Sequence, residues 1–321
     1  MMLNISADDV DSCLDHAGLI ETLRRAFRQG AVQPVRHHHT VERPGASDAT
    51  LLLMPAWNDF SNAEVGNGYI GVKIATVSPD NNAIGKPAVM AVYLLMDGRT
   101  GEPLALIDGQ RVTAWRTACA SGLATSYLAR QDASRLLIVG AGALAPHLAR
   151  AHSAVRPITE IRIWNRSSGN AQKVVDSLNA AGMNAAVAGD LDEAVAEADI
   201  VSCATLSNEP LVRGAVLKPG THVDLIGAFT PTMRESDDEA VRRASVFVDT
   251  RAGAVKEAGD IVQALKSGAL KEEEICADLY ELTRGDKPGR RSDDEITLFK
   301  SVGAAIEDLA AGIAVYEKHR A

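Results

Sequence analysis

The chain has 321 residues, 46% of them hydrophobic, and is long enough for two domains with cores of ordinary size. Its formal net charge is -9 and its basic residues are scattered, which argues against an electropositive groove and a nucleic-acid partner. No stretch reaches the roughly 18 apolar residues that cross a bilayer, and no signal-peptide pattern opens the sequence. Its four cysteines form no CxxC pair, as is typical of reduced thiols. We therefore expect a soluble, cytoplasmic protein with no membrane partner.

The first third of the sequence predicts an α+β domain. An opening helix is expected over residues 8–30, followed by strand-like stretches at 50–57, 69–79 and 86–97. Asp97 and Gly98 give a strong hairpin signal after the last of these stretches. A long helix is predicted over residues 112–130, where it would lead into the rest of the chain.

Three consecutive histidines, His37 to His39, form the one local cluster that could indicate a metal. Neighbouring side chains of an extended segment alternate between faces, so three in a row rarely converge on one ion. We therefore predict no metal site, and expect a polar strand or loop in which at most one histidine lies near a ligand.

From Arg135 onward, short apolar runs alternate with helix-like stretches. The runs that we predict as strands are 135–140, 161–164, 184–188, 200–204, 222–227 and 246–250. Strands that alternate with helices indicate βαβ units and a parallel sheet with right-handed crossovers. The tail, residues 294–319, is predicted to be a further helix that packs back across the domain boundary.

These patterns predict an α/β fold class, with a Rossmann-type, doubly wound parallel sheet and a separate α+β domain. We place the α+β domain at residues 1–120 and 293–321, where the C-terminal helix completes it. The dinucleotide-binding domain is placed at residues 121–292.

A glycine-rich turn directly follows the first strand of the parallel series. Gly140, Gly142 and Ala145 form a GxGxxA pattern, in which the glycines allow a tight turn and a close approach to a pyrophosphate, and the helix N-terminus attracts the anion. We therefore predict dinucleotide binding. The predicted contacts in this turn are Gly140, Ala141, Gly142, Ala143, Leu144 and Ala145.

The second strand of the series ends where an NAD enzyme usually carries an acidic residue for the ribose hydroxyls. This chain has Asn165, Arg166, Ser167 and Ser168 there instead. A guanidinium and hydroxyls would bind a 2′-phosphate that a carboxylate would repel, so the sequence favours NADPH. NADH stays open as the alternative, because Arg166 could stack on the adenine of either cofactor.

Three basic residues of the first domain are candidates for binding a substrate carboxylate. Lys73 interrupts an otherwise apolar strand, and burying an ammonium is costly, so this residue faces either solvent or a ligand. Arg36 and Arg116 each carry a guanidinium that can hold a carboxylate with two hydrogen bonds.

Five motifs in this order resemble the ornithine cyclodeaminase/mu-crystallin family: GVKIATVSP, MDGRTGEPLALIDGQRVTAWRTACASGLA, VGAGALAPH, LIGAFTPTMRE and DEITLFKSVGAAIEDLA. The resemblance implies a homodimer whose first domain makes both the dimer contact and the substrate site. It also implies that Arg36, Lys73 and Arg116 bind the substrate carboxylate and that Thr117 contacts the pyrophosphate. Ser301 and Val302 resemble the part of the last helix that approaches the nicotinamide. The cofactor-binding residues expected at other strand ends are Ala204, Thr205, Gly227 and Ala228.

Phe229 departs from the pattern of ornithine cyclodeaminases, which resemble one another in carrying an aspartate at this position. A phenyl ring cannot accept a proton, so the base needed for deamination is missing. GAFTPxMRE instead looks like the branch of the family that reduces cyclic ketimines. This resemblance implies NAD(P)H-dependent reduction of Δ1-pyrroline-2-carboxylate to proline, or of its six-membered homologue Δ1-piperideine-2-carboxylate to pipecolate. Phe229 and the neighbouring Thr230 are expected to contact the substrate, with the ring of the imino acid against the phenyl group.

Lys73 is the predicted catalytic residue, which neutralises the carboxylate and could give a proton to the imine nitrogen. A proton from solvent is the competing assignment. The alternatives for the whole protein are an ornithine cyclodeaminase, an alanine-dehydrogenase-like enzyme, a mu-crystallin-like small-ligand binding protein, and a nucleotide-binding protein with an unrelated substrate.

Overall fold

The computed structural model describes residues 2–61 and 68–321, in two compact units. The first unit comprises Met1–Arg116 and Ala305–Ala321, and the second comprises Thr117–Ala304. Residues 117–120 and 293–304, which the sequence assigned to the first domain, thus lie in the second unit.

A mixed sheet forms the centre of the first unit. Its strands are β1 (Leu3–Ile5), β2 (Ala31–Val32), β3 (His37–Val41), β4 (Ala49–Asn58), β5 (Tyr69–Val77), β6 (Val89–Asp97) and β7 (Pro103–Asp108). The strand order is β1-β7-β6-β5-β4-β2, β3 also pairs with β4, and only the β1–β7 pairing is parallel. Asp97 and Gly98 open the turn between β6 and β7, so the predicted hairpin is confirmed.

The helices of the first unit are α1 (Ala7–Cys13), α2 (His16–Gln29), the first half of α3 (Gly109–Leu128) and α11 (Ala305–His319). Helix α11 packs against β4, β5 and β6, α1 contacts α11 and β7, and α2 packs on α11. The prediction of one opening helix is wrong, because the chain leaves the helical conformation at Leu14 and Asp15. The Asp15 side chain accepts a hydrogen bond from the Gly18 amide, which starts α2 as a separate helix.

The two faces of this sheet differ in burial. Strand residues that point toward the helices, such as Lys73 of β5 and Tyr93 of β6, are buried. The strand residues that alternate with these point away from the helices. Among them, Ile74, Met90 and Val92 are apolar, yet these residues are 36%, 43% and 39% exposed. This alternation follows from the two-residue period of a strand. The outer face is therefore an apolar surface, which we call the outer sheet face.

The second unit contains an entirely parallel sheet flanked by helices. Its strands are β8 (Arg135–Val139), β9 (Glu160–Trp164), β10 (Ala185–Val187), β11 (Ile200–Cys203), β12 (His222–Leu225), β13 (Ser245–Val248), β14 (Ile275–Asp278) and β15 (Thr297–Lys300). Its helices beyond α3 are α4 (Ala145–Ser153), α5 (Ser168–Ala180), α6 (Leu191–Glu197), α7 (Asp238–Arg243), α8 (Arg251–Glu257), α9 (Gly259–Ser267) and α10 (Leu279–Arg284). The strand order β10-β9-β8-β11-β12-β15-β13-β14 confirms the doubly wound fold class and all six predicted strands.

The tail differs from its prediction as a continuous helix. Thr297–Lys300 form β15, which is fully buried between β12 and β13, and only Ala305–His319 are helical. Hydrogen bonds from both neighbouring strands outweigh local helix propensity in this segment. Among the described residues, no helix combines the length and the apolar character needed to cross a membrane.

Candidate active site

Lys73 lies on the buried face of β5, which answers the question of whether it faces solvent. Its side chain is 4% exposed, and Nζ lies 2.9 Å from Oδ1 and 2.7 Å from Oδ2 of Asp308 in α11. Asp308 is itself fully buried. The ammonium is thus taken out of water, and the Asp308 carboxylate compensates its charge.

Arg116 of α3 joins the same group of charges. Its Nε donates to Asp308 Oδ1 at 3.0 Å, and its Nη1 donates to Glu307 Oε2 at 2.8 Å. Lys73, Arg116, Glu307 and Asp308 therefore form one buried group of two cations and two anions, which we call the carboxylate cluster. Its two acids are adjacent in the first turn of α11, where the helix dipole favours negative charge.

The protonation of these groups follows from their surroundings. Burial lowers the pKa of Lys73 to about 8; Arg116 and Arg36 act in the same direction, and Asp308 acts against them. Burial alone would raise the pKa of Asp308, but Lys73 and Arg116 outweigh it and lower that pKa. Lys73 is thus a cation that can lose its proton close to neutral pH.

Arg36 is half-buried in the loop between β2 and β3, and its charge helps to lower the pKa of Lys73. The structure therefore brings the three predicted carboxylate-binding residues, Arg36, Lys73 and Arg116, into one electrostatic neighbourhood within the first unit.

Tyr93 lies directly across from Lys73 in the β5–β6 pairing and is 1% exposed. A Cβ on Gly71 would lie 1.9 Å from its Oη, and a Cβ on Gly312 of α11 would lie 2.5 Å from its ring. Glycines at both positions thus make room for the tyrosine. Within the described part of the chain, Tyr93 Oη has no hydrogen-bond partner, and burial holds the pKa of this hydroxyl well above its usual value.

The glycine-rich turn of the second unit has the form of a phosphate cradle. Gly140 has a φ of 113°, and a Cβ there would lie 2.7 Å from the Ala204 carbonyl oxygen, whereas open space surrounds the position of a Cβ on Gly142. No side chain caps the N-terminus of α4 at Leu144. The turn therefore fits a pyrophosphate that approaches the backbone.

The end of β9 carries the residues predicted to bind the adenosine ribose. Asn165 Oδ1 accepts from the Ala141 amide at 3.3 Å, so this side chain ties the loop to the glycine-rich turn. Arg166, Ser167 and Ser168 are exposed at the start of α5, and Ser167 makes no side-chain cap. The side-chain hydrogen-bond donors of these three residues therefore face solvent, where a ligand can reach them.

A single buried carboxylate holds the strand ends after β11 and β12. Glu235 accepts hydrogen bonds from the Thr205 amide and hydroxyl, at 2.7 and 2.9 Å, and from the Gly227 and Ala228 amides, at 2.7 and 3.3 Å. A Cβ on Gly227 would lie 1.9 Å from the Thr205 carbonyl oxygen. The predicted cofactor residues Ala204, Thr205, Gly227 and Ala228 thus belong to one fixed pair of loops.

Phe229 and Thr230 follow this pair of loops and are both half-buried. The Phe229 ring packs against the core of the second unit. No charged group therefore occupies the position at which a cyclodeaminase would carry its aspartate.

Ser301 and Val302 do not lie in the last helix, as the resemblance implied, but in the turn between β15 and α11. Asp249 Oδ2 fixes this turn by accepting from Ser301 Oγ at 3.0 Å and from the Val302 and Gly303 amides at 2.8 Å. Thr117, the remaining predicted contact, is buried in α3 directly after Arg116.

Sequence reasoning missed Asp308, Glu307 and Glu235, which hold the predicted residues in place. The signal for the acidic pair was present, because Glu307 and Asp308 interrupt the apolar stretch AAIEDLAAGIAV. For Glu235 the sequence offered only its position in the TPTMRE motif. Its partners are backbone amides, which every residue except proline carries, so no residue pattern identifies them.

The three histidines form part of β3 and are all exposed. His37 and His39 lie on one side, with ring centroids 6.2 Å apart, while His38 points the other way. Among residues 2–61 and 68–321, no three His, Cys, Asp or Glu side chains are placed to hold a metal ion.

Comparisons with known proteins cover nearly the whole chain. A Δ1-pyrroline-2-carboxylate reductase of Paracoccus denitrificans is 40% identical over 87% of this chain and 89% of its own. The solved structure of the Thermococcus litoralis Δ1-pyrroline-2-carboxylate reductase in complex with NADH and L-proline is 37% identical, with a TM-score of 0.92, 99% of this chain covered and 97% of that chain. An archaeal alanine dehydrogenase dimer with bound NAD is 31% identical, with a TM-score of 0.88 over 99% of this chain and 95% of that one.

The model of the ornithine cyclodeaminase/mu-crystallin family matches residues 2–321. These matches confirm what the five ordered motifs predicted. The chain belongs to the ornithine cyclodeaminase/mu-crystallin family.

Proposed function

We propose that this protein is an NAD(P)H-dependent reductase of cyclic imino acids, which converts Δ1-pyrroline-2-carboxylate to proline. The observation that carries the proposal is Phe229, an uncharged residue at the position where a cyclodeaminase needs an aspartate. The relatives named as Δ1-pyrroline-2-carboxylate reductases support the same reaction. A nicotinamide dinucleotide is the cofactor, held by the cradle at Gly140.

The carboxylate cluster supplies the substrate-binding charges. Asp308 holds the Lys73 ammonium and the Arg116 guanidinium next to each other, and Arg36 adds a second guanidinium to the same electrostatic neighbourhood. A cyclic imino acid offers one carboxylate to these groups and an apolar ring to Phe229 and Thr230.

Reduction of the imine adds a hydride to C2 and a proton to the ring nitrogen. The nicotinamide supplies the hydride when it is bound. The electron pair of the C=N π bond then takes a proton and becomes the new N–H bond. We assign this proton to the Lys73 ammonium, which is left as a neutral amine and regains a proton from water.

We further propose that NADPH is the preferred form of the cofactor. Arg166, Ser167 and Ser168 offer a guanidinium and two hydroxyls to a 2′-phosphate, and no carboxylate stands at the end of β9 to repel it. The test is Arg166→Glu, which should raise the KM for NADPH relative to that for NADH by about tenfold or more. Arg162→Glu reverses the same charge on β9 beside Glu160 and is the matched control, whose ratio should stay unchanged.

A homodimer through the outer sheet face is the third part of the proposal. Ile74, Met90 and Val92 form an exposed apolar row across β5 and β6, and such rows in soluble proteins mark association surfaces. A second copy of the chain presents the same apolar face and can cover it by a two-fold contact.

The function is tested by NADPH oxidation at the absorbance of the reduced nicotinamide. The substrates are Δ1-pyrroline-2-carboxylate, Δ1-piperideine-2-carboxylate and pyruvate with ammonia, with ornithine and NAD as a separate reaction. We expect turnover of the cyclic imines. Ammonia release from ornithine, or turnover of pyruvate with ammonia alone, would assign the protein to the cyclodeaminases or to the alanine dehydrogenases.

A further inference from the structure

Asp308 contacts two of the predicted carboxylate-binding residues at once, Lys73 and Arg116. Its Oδ1 accepts from Lys73 Nζ at 2.9 Å and from Arg116 Nε at 3.0 Å, and its Oδ2 lies 2.7 Å from Nζ. A carboxylate of α11 thereby joins strand β5 to helix α3. The spacing of the two cations, on which recognition of a substrate carboxylate depends, is fixed by this one side chain.

Asp308 also favours the protonated form of Lys73, which the other charges around the lysine oppose. Arg116 from α3 and Arg36 from the β2–β3 loop both oppose a proton on Lys73. Tyr93 from β6 is kept neutral by burial, and Met54 of β4, across from Lys73, is apolar. Glu307 from α11 contacts Arg116, so Asp308 carries the negative charge that contacts the ammonium itself.

Asp308 is also held rigidly. It lies in the first turn of α11, where the Ile306 amide donates to Gln33 Oε1 at 3.1 Å and so ties the helix start to the β2–β3 loop. Tyr93 packs against Gly312, one helical turn after Asp308 on the same face of α11. The backbone of α11 is therefore anchored on both sides of Asp308.

We propose that Asp308 is a positioning residue of the reduction, which fixes Lys73 and Arg116 relative to each other and keeps Lys73 charged at working pH. This inference rests on the proposed reduction of a cyclic imino acid. Lys73 must carry its proton both to bind the substrate carboxylate and to protonate the imine, so the argument holds for either role.

The test compares pH profiles of kcat/KM for the cyclic imine in the wild type, Asp308→Asn and Glu307→Gln, at saturating NADPH. Loss of the Asp308 charge removes an interaction that favours the protonated lysine, so the pKa of Lys73 falls. The alkaline limb of Asp308→Asn should then move down by about one pH unit or more, which is a loss of about fivefold at pH 8 beyond any loss at lower pH. Glu307→Gln also removes one negative charge, but from a residue that contacts Arg116 and not Lys73. This variant should lower kcat/KM but move the alkaline limb much less than Asp308→Asn does.

Two further measurements keep the test decisive. Asp308→Glu retains the charge and should return the limb toward its wild-type position, whatever its effect on the maximum. Trace acetylation of Lys73 by acetic anhydride, followed by mass spectrometry of its peptide, reports the same titration without substrate, because only the neutral amine reacts and the reagent itself does not titrate. Acetylation should begin at lower pH in Asp308→Asn.

An alkaline limb and an acetylation profile that coincide in the wild type and Asp308→Asn would overturn the inference about Asp308. Failure of the wild type to reduce either cyclic imine would instead overturn the proposed function. The acetylation reaction would still decide whether Asp308 controls the protonation of Lys73. If Asp308→Asn does not fold, Asp308→Ser, which also removes the charge, takes its place, and an acetylation profile equal to that of the wild type would again overturn the inference.

Discussion

At the scale of single residues, burial sets the chemistry of Lys73 and of His222. Both are removed from water, and burial lowers the pKa of each, to about 8 for Lys73 and to about 3 for His222. Lys73 keeps an acidic partner in Asp308, whereas His222 Nδ1 is 2.9 Å from the neutral Thr297 hydroxyl. The lysine can therefore exchange a proton near neutral pH, while the histidine stays neutral and only affects stability.

Replacement of Lys73 by alanine should lower kcat/KM for the cyclic imine by about two to four orders of magnitude, because a charge for the carboxylate and a proton donor are both lost. The division between kcat and KM identifies the role. A fall in kcat at saturating imine supports proton donation by Lys73. An unchanged kcat with a raised KM would leave Lys73 as a binding residue and assign the proton to solvent.

His222 should make the stability of the protein depend on pH below neutrality. Its pKa is about 3 in the folded state and about 6.5 in the unfolded state, so the unfolded chain binds more protons between these values. The free energy of unfolding therefore falls as the pH drops from about 6.5 to about 3, with a contribution from His222 of up to about 1.4 kcal/mol per pH unit. The free energy of unfolding, measured with urea at several pH values, should depend less on pH between about 3 and about 6.5 in His222→Asn than in the wild type. Thr297→Val removes the hydrogen-bond partner but keeps the histidine, so its unfolding free energy should still depend on pH. The same pH dependence in His222→Asn and the wild type would contradict the assignment.

At the scale of elements, the loop after β12 is fixed by packing and by Glu235. The carboxylate is fully buried, has Lys300 Nζ at 3.8 Å, and holds backbone amides after both β11 and β12. Burial raises the pKa of Glu235, and Lys300 opposes this shift. The loop therefore holds Phe229 on a rigid support.

Replacement of Phe229 by aspartate should weaken reduction of the cyclic imine by about tenfold or more, because a charge replaces the apolar surface for the ring. Phe229→Leu keeps an apolar side chain and serves as the control, with most of the activity retained. The measurement is kcat/KM with Δ1-pyrroline-2-carboxylate, beside ammonia release from ornithine. Equal activity of the aspartate and leucine variants would show that residue 229 does not contact the substrate ring.

At the scale of the whole molecule, the two units carry different parts of the proposed reaction. The first contains the carboxylate cluster and the outer sheet face, and the second contains the dinucleotide cradle. Association through the outer sheet face would bury apolar side chains that are now in contact with water. The gain is about 25 cal/mol for each Å² of apolar area covered.

Replacement of Ile74 by lysine should shift the protein from dimer to monomer in analytical ultracentrifugation, because it places a charge in the centre of the outer sheet face. Glu102→Lys changes an exposed residue in the turn between β6 and β7 and should leave the sedimentation unchanged. A wild type that sediments as a monomer at micromolar concentration would contradict the proposed homodimer.

The elements that were predicted correctly are those whose signals are local. The parallel strands, the hairpin at Asp97 and the turn at Gly140 follow from apolar runs, turn residues and glycine spacing within a few residues. Predictions failed where distant segments compete with local preference. Thr297–Lys300 were expected to be helical but form a strand, because β12 and β13 supply hydrogen bonds on both sides.

The sequence by itself determined the fold class, the family, the dinucleotide turn and the identities of Lys73, Arg116 and Phe229, since each rests on residue types at short, fixed spacings. Only the tertiary structure decided which way Lys73 faces and what it pairs with. Asp308 lies 235 positions further along the chain, and no local pattern relates the two. Their pairing arises because the packing of α11 on β5 removes both charges from water, where each is stable only in contact with the other.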